Sequence, residues 1–269
     1  MKVAMSKTLV MGILNVTPDS FADGGKYLTT KEAVNHGRQL LAEGADIIDV
    51  GGESTKPGVD RVSEATELER VIPVIEELLK EGAIISVDTM RSNVAKEAIS
   101  KGVSYINDVS GGLADEKMLS IISANPSIQY IVMHWRGHSK VMQQNAVYKD
   151  VVKEVKEELD ERVTSLINQG VNPEQIILDP GIGFAKESEH NWDLLKSIER
   201  LQMLGYPILV GASRKRFLGE LIDSKDPGER EFATIALTAE LARQKVWGVR
   251  THSVKAHKDA IAVIERLRQ

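Results

Sequence analysis

Short runs of apolar and β-branched residues alternate with amphipathic stretches from one end of the chain to the other. Eight runs read as strands: residues 9–15, 46–50, 83–88, 105–109, 129–134, 175–179, 208–211 and 246–252. Each is followed by residues whose apolar positions recur at helical spacing, as at 67–80, 148–168 and 232–244. This is the pattern of βα units around a parallel sheet. Gly44, Gly82, Gly102, Gly170 and Gly205 stand shortly before the next strand, where a left-handed residue commonly closes a helix. The connections into the strands are therefore short. Those leaving the strands are longer and more polar, notably residues 17–26, 51–62 and 136–146.

Eight parallel strands form either an open doubly wound sheet or a closed barrel. The open form usually carries a glycine-rich GxGxxG loop after its first strand, and no such loop occurs in this sequence. The 269 residues are close to the roughly 250 of a (β/α)8 barrel. No repeat, low-complexity segment or linker interrupts the alternation, so one α/β domain of the TIM-barrel type over residues 1–269 is expected. With 42% hydrophobic residues and no cysteine, an ordinary core must suffice without disulfides or structural zinc.

The start, MKVAMSKTLV, lacks a long apolar segment, and no later run approaches the roughly 18 apolar residues of a membrane span. A cytoplasmic protein without membrane association is expected. A net charge of −5 supplies no general field for nucleic acid, so any anionic substrate needs a local cluster of Lys and Arg.

In a barrel, the C-terminal ends of the strands converge on one face, and catalytic groups come from several strands at once. At or just past these ends stand Asn15, Glu53 with Ser54, Asp88, Asn107, His134, Asp179, Lys215, and Arg250 with His252. Singly, Asn15 fits a turn with Pro18 and Asp19, and Asp88 and Asp179 fit helix caps. Polar groups at so many strand ends favour a shared site over repeated capping. Two carboxylates and an amide, from Asp88, Asp179 and Asn107, suit the amino and ring N–H groups of a flat heterocycle. Lys56, Lys215, Arg250 and His252 form a positive cluster suited to a diphosphate. Asn15 offers a neutral oxygen for Mg²⁺, whose other positions are usually filled by water and substrate phosphate.

The local motifs resemble those of the dihydropteroate synthases, in order and over nearly the whole chain. They read GILNVTPDSF from Gly12, DVGGESTKPG from Asp49, SVDT from Ser86, INDVSGG from Ile106, MH at Met133, LDPGIGF from Leu178, GASRKRFLG from Gly211 and VRTH from Val249. The resemblance implies a transferase of folate biosynthesis that joins 6-hydroxymethyl-7,8-dihydropterin diphosphate to p-aminobenzoate, releases diphosphate and is a sulfonamide target. It implies a pterin site at Asp88, Asn107, Met133, Asp179, Gly211, Lys215 and Arg250. Phe21, Thr55, Lys56, Pro57, Phe184 and Ser213 fall on the p-aminobenzoate side and its loops. Asn15, Arg250 and His252 fall to the diphosphate, Asn15 also to Mg²⁺, and Asp88, Lys215, Arg250 and His252 to the chemistry. The same resemblance implies a homodimer through the outer helices of the last units. Three segments depart from the common pattern. Lys56 stands where STRPG has arginine, Ser253 where RVHDV has an acid, and MHWRG replaces MHMQG from Met133. A corrinoid-dependent pterin methyltransferase and a binding-only relative are the competing readings; diphosphate release separates the first from a synthase, and growth rescue of a strain lacking the synthase separates the second.

Overall fold

The strands are β1 (Leu9–Asn15), β2 (Ile47–Gly51), β3 (Ile85–Asp88), β4 (Tyr105–Asp108), β5 (Gln129–Met133), β6 (Ile176–Asp179), β7 (Leu209–Val210) and β8 (Gly248–Thr251) in a computed structural model. It describes residues 7–17, 26–53, 61–138 and 142–269. All neighbours are parallel, in the order β6-β5-β4-β3-β2-β1-β8-β7. A bridge between Leu178 and Ile208 joins the two ends, with the Leu178 N–H donating to the Pro207 carbonyl at 2.9 Å. The sheet thereby rolls into the expected eight-stranded barrel.

Around it lie α1 (Lys26–Ala42), α2 (Glu64–Lys80), α3 (Ser92–Lys101), α4 (Met118–Ser123), α5 (Val151–Asn168), α6 (Ser188–Lys196), α7 (Ile198–Gln202), α8 (Arg216–Leu221), α9 (Glu231–Arg243) and α10 (Lys255–Leu267). Capping explains where two of them depart from the expected bounds. Ser63 accepts from the Thr66 N–H, so α2 starts earlier than residue 67, and Asp150 accepts from the Lys153 N–H, so α5 starts later than residue 148. The five expected glycine exits all have positive φ, from +78° at Gly82 to +103° at Gly102.

Strand alternation divides the packing in two. Side chains pointing outward, among them Val10, Leu14, Val50, Val87 and Leu178, join the helices in one large core. Those pointing inward form a small plug of Met11, Ile47, Ile131, Ile177, Leu209 and Trp247 inside the barrel. Above the plug the inward positions turn polar. The strand ends are therefore a polar cup on an apolar floor, which places the candidate site.

Two strand-end groups expected there lie elsewhere. Glu53 accepts from Arg61 at 3.0 Å and from Arg91 at 3.2 Å, which ties the β2 exit to the start of α3. His134 follows Met133 and so faces the opposite side, where its Nε2 meets Glu158 of α5 at 2.9 Å. Their positions serve the barrel wall, and the shared-site expectation is corrected for both.

Candidate active site

Three strands bring carboxylates and a guanidinium together at the centre of the cup. Arg250 of β8 donates from Nε to Asp49 Oδ2 at 2.6 Å and from Nη2 to Asp88 Oδ2 at 2.8 Å. Asn107 of β4 donates to the same Asp49 oxygen at 3.0 Å. Asp49, two residues before the end of β2, is fully buried, and its Oδ1 has no hydrogen-bond partner. It is a functional candidate that strand-end counting passed over. The signal was present, since Asp49 lies in phase with Gly51 on the inward side. Burial raises the Asp88 carboxyl above the usual range, opposed mainly by Arg250 and reinforced by Asp49.

The second half of the cup is built on β6 and β7. Asp179 accepts from the Gly181 N–H at 2.7 Å through Oδ1. A Cβ on Gly211 would lie 3.8 Å from its Oδ2 and 3.8 Å from Arg250 Cβ, so the bare glycine keeps the space between these two side chains open. Burial raises Asp179 as well, against the opposing charge of Lys215. Lys215 donates to the Ile182 carbonyl, and its ammonium lies 4.5 Å from the centre of the Phe184 ring. Burial draws that lysine down to about 8, with Asp179 pulling the other way. Gly183 has φ of +80°, and a Cβ there would come within 2.9 Å of Lys215 Cδ, so the β6 loop admits only glycine at that point. Met133, paired in register with Asp179, forms a buried apolar wall beside them.

At the β1 and β8 ends, Asn15 and His252 line one cavity of about 390 Å³ together with His36, Arg214 and Ser253. Ser213, expected beside p-aminobenzoate, lies with its Oγ 3.0 Å from His252 Nδ1 and accepts the His252 N–H at 3.2 Å. It fastens the β8 exit. Ser253, which stands where an acid is common, donates to Glu231 of α9. Glu231 also accepts from Arg214 at 2.6 Å and faces His257 Nε2 at 3.1 Å. Burial works against its charge, but the bonds from His257, Ser253 and Arg214 prevail and hold it at about 2.

The structure thus gathers Asp88, Asn107, Met133, Asp179, Gly211, Lys215 and Arg250 in one cup, with Phe184 on its rim. Asn15 and His252 share the adjoining cavity. Arg250, expected at both the pterin and the diphosphate, donates to two carboxylates at the centre of the cup. Phe21, Thr55, Lys56 and Pro57 lie outside the described residues.

Known proteins resemble this chain in sequence and in fold. The family model for pterin binding enzymes matches residues 11–252. The dihydropteroate synthase of Mycobacterium leprae is 45% identical, over 97% of this chain and 94% of its own. Among solved structures, that of the Xanthomonas albilineans dihydropteroate synthase with 4-aminobenzoic acid superposes with a TM-score of 0.92 at 38% identity, covering 98% of this chain and 94% of its own. A Yersinia pestis dihydropteroate synthase in a sulfonamide drug complex gives a TM-score of 0.92 at 35% identity, covering 100% and 97%. Similarity of this extent in both sequence and fold places the chain in the dihydropteroate synthase family of pterin-binding enzymes.

Proposed function

We infer that the chain condenses 6-hydroxymethyl-7,8-dihydropterin diphosphate with p-aminobenzoate, giving 7,8-dihydropteroate and diphosphate in folate biosynthesis. The observation that carries the site assignment is the convergence of Asp88, Asn107 and Asp179 with Arg250 and Lys215 above an apolar floor. Asn107 and the two aspartates supply acceptors and a donor for the edge of the pterin, Met133 a wall, and Gly211 the clearance for a flat ring. In the reaction the methylene carbon–oxygen bond breaks, and diphosphate departs with the electron pair. The amine nitrogen of p-aminobenzoate then attacks the methylene and loses a proton. Asp88 lies where its carboxylate offsets positive charge on the pterin, while Arg250, Lys215 and His252 offset charge on the leaving group. Such preorganised groups are commonly worth about 3 to 4 kcal/mol each.

Mg²⁺ belongs to this proposal. Among the described residues no cluster of three or more metal-ligating His, Cys, Asp or Glu side chains occurs, and Asn15 contributes one neutral amide oxygen. That donor set fits a magnesium ion carried largely by diphosphate and water, with Asn15 as its protein contact. The ion would neutralise charge on the leaving group. Sulfonamides are expected to occupy the p-aminobenzoate side, near Phe184. No described helix is long and apolar enough to cross a membrane, in keeping with a cytoplasmic enzyme acting on small molecules.

A diphosphate-release assay tests the reading. Release should require both substrates, stop on chelation of divalent metal, and be inhibited by a sulfonamide in competition with p-aminobenzoate but not with the pterin. A folded preparation that binds pterin but releases no diphosphate would point instead to a binding-only relative.

A further inference from the structure

Beneath the Gly181 turn lies a lysine that the reaction above does not use. Lys186 is only 2% exposed. Its Nζ donates to the Phe184 carbonyl at 3.1 Å and lies 3.0 Å from His134 Nδ1. A charged ammonium has donors only, so Nδ1 accepts and Nε2 is left to donate to Glu158, 2.9 Å away. The imidazole is then neutral, in keeping with burial and the Lys186 charge drawing it down to about 4. Glu158 is braced in turn by Arg136, whose Nε lies 3.1 Å from the same oxygen. This line also reaches the cup through the backbone, because the His134 N–H donates to the Asp179 carbonyl at 2.8 Å. A Cβ on Gly181 would approach Lys186 Nζ to 3.5 Å, so the ammonium lies against the turn whose N–H holds the Asp179 carboxylate.

We propose that Lys186 is a positioning residue for the pterin site: held by His134 and Glu158, it supplies a fixed positive charge behind Asp179 and anchors the Phe184 wall. The proposal rests on the reading that Asp179 takes the pterin edge. Burial disfavours a charged Asp179, and Lys215, Arg250 and Lys186 are the cations that oppose it. Lys215 and Arg250 stand in the cup, where a diphosphate ester competes for them. Lys186 stands behind the wall, and its field on Asp179 persists through the reaction. The groups facing it are Asp179 and Glu158, which favour its charge, Lys215 and Arg136, which oppose it, neutral His134, and the Tyr148 ring 6.0 Å away. Burial leaves it at about 7, so the positive charge is present below that pH and is lost above it.

Lys186→Met removes the charge while keeping the length of the side chain. Carbon-detected NMR titration of Asp179 in the full-length protein, with no pterin added, is expected to show its carboxyl titrating at higher pH in the variant. Calorimetric titration with 6-hydroxymethylpterin should show about 10-fold weaker binding at about pH 6, with the wild-type decline in affinity towards about pH 8 abolished. Glu158→Gln, at a half-exposed position, provides the second variant should Lys186→Met fail to fold. It should move that decline to lower pH by withdrawing support from the Lys186 charge. An Asp179 titration unmoved by Lys186→Met, or a pterin affinity profile unmoved by Glu158→Gln, overturns the proposal even if melting temperature changes. Failure of the wild type to bind pterin would instead count against the assignment of the cup, while the Asp179 titration would still decide the role of Lys186.

Discussion

Arg250 is shared by two carboxylates that have little access to water, with Asp49 0% and Asp88 8% exposed at the side chain. Removing one partner of such a cluster leaves uncompensated charge and commonly costs about 3 to 5 kcal/mol. Arg250→Ala should therefore lower the melting temperature as well as weaken diphosphate binding. The sign of its pH dependence follows from Asp88. A carboxyl raised in the folded state contributes its stability below its unfolded pKa and loses it as pH rises through the folded value. Without Arg250 the folded value rises further, so the loss extends to higher pH and acidification should partly restore the variant. Thermal melts across pH check this, and a curve parallel to wild type would remove the coupling between Arg250 and Asp88. Asp179→Ala should behave differently, because a charge-assisted contact to the pterin is lost while the Arg250 cluster stays intact. Pterin affinity should fall by roughly 10- to 150-fold, corresponding to about 1.5 to 3 kcal/mol. Calorimetric titration with a simple pterin measures it, and wild-type affinity would release Asp179 from the pterin edge.

Between elements, Glu231 at the start of α9 links the β7 loop, through Arg214, to the β8 exit and α10, through Ser253 and His257. That clamp holds together the two segments whose Ser213 and His252 meet at 3.0 Å. Glu231→Gln keeps the shape and removes the charge, so it should raise KM for the pterin diphosphate more than it lowers kcat. Its stability effect has a defined window as well. A carboxylate held down at about 2 contributes above its unfolded pKa and loses that contribution as pH falls through the folded value. The melting-temperature gap between wild type and Glu231→Gln should therefore narrow in acid. A gap that stays constant from neutral pH downward would mean that the charge of Glu231 is not what fastens these elements.

Across the whole molecule, exposed large apolar side chains gather on the last helices. Leu221 and Ile222 close α8, Phe232 of α9 is 84% exposed, and Val263 and Leu267 lie one turn apart on α10. Apolar surface of this kind is commonly covered by a partner, and we propose that it forms the interface of the homodimer expected through the outer helices of the last units. Phe232→Glu combined with Leu267→Glu should shift sedimentation from dimer to monomer and leave the circular dichroism spectrum unchanged. A wild-type chain that sediments as a monomer at assay concentration would remove the proposal.

Much of this architecture is written locally. The alternation of apolar and polar positions placed all eight strands, and the positive-φ glycines marked the helix exits, because strand period and left-handed caps depend only on neighbouring residues. The same local logic put Asp88, Asn107, Asp179 and Arg250 at strand ends, hence on one face of a barrel. Periodicity cannot name partners. Arg250 meets Asp49 across 201 residues of sequence, and only the pairing of β1 with both β2 and β8, which sets the last strand two places from the second, brings them together. Glu53 and His134 occupied equally suggestive places, yet the direction of each side chain sends them to Arg91 and Glu158. Lys186 carried no sequence signal, since its burial depends on how the β6 loop folds back over β5. The sequence by itself therefore determined the elements, their order and the residue types offered at the mouth. The tertiary structure decided which charges face one another, because electrostatic pairing depends on distance and burial that arise only once remote strands are packed.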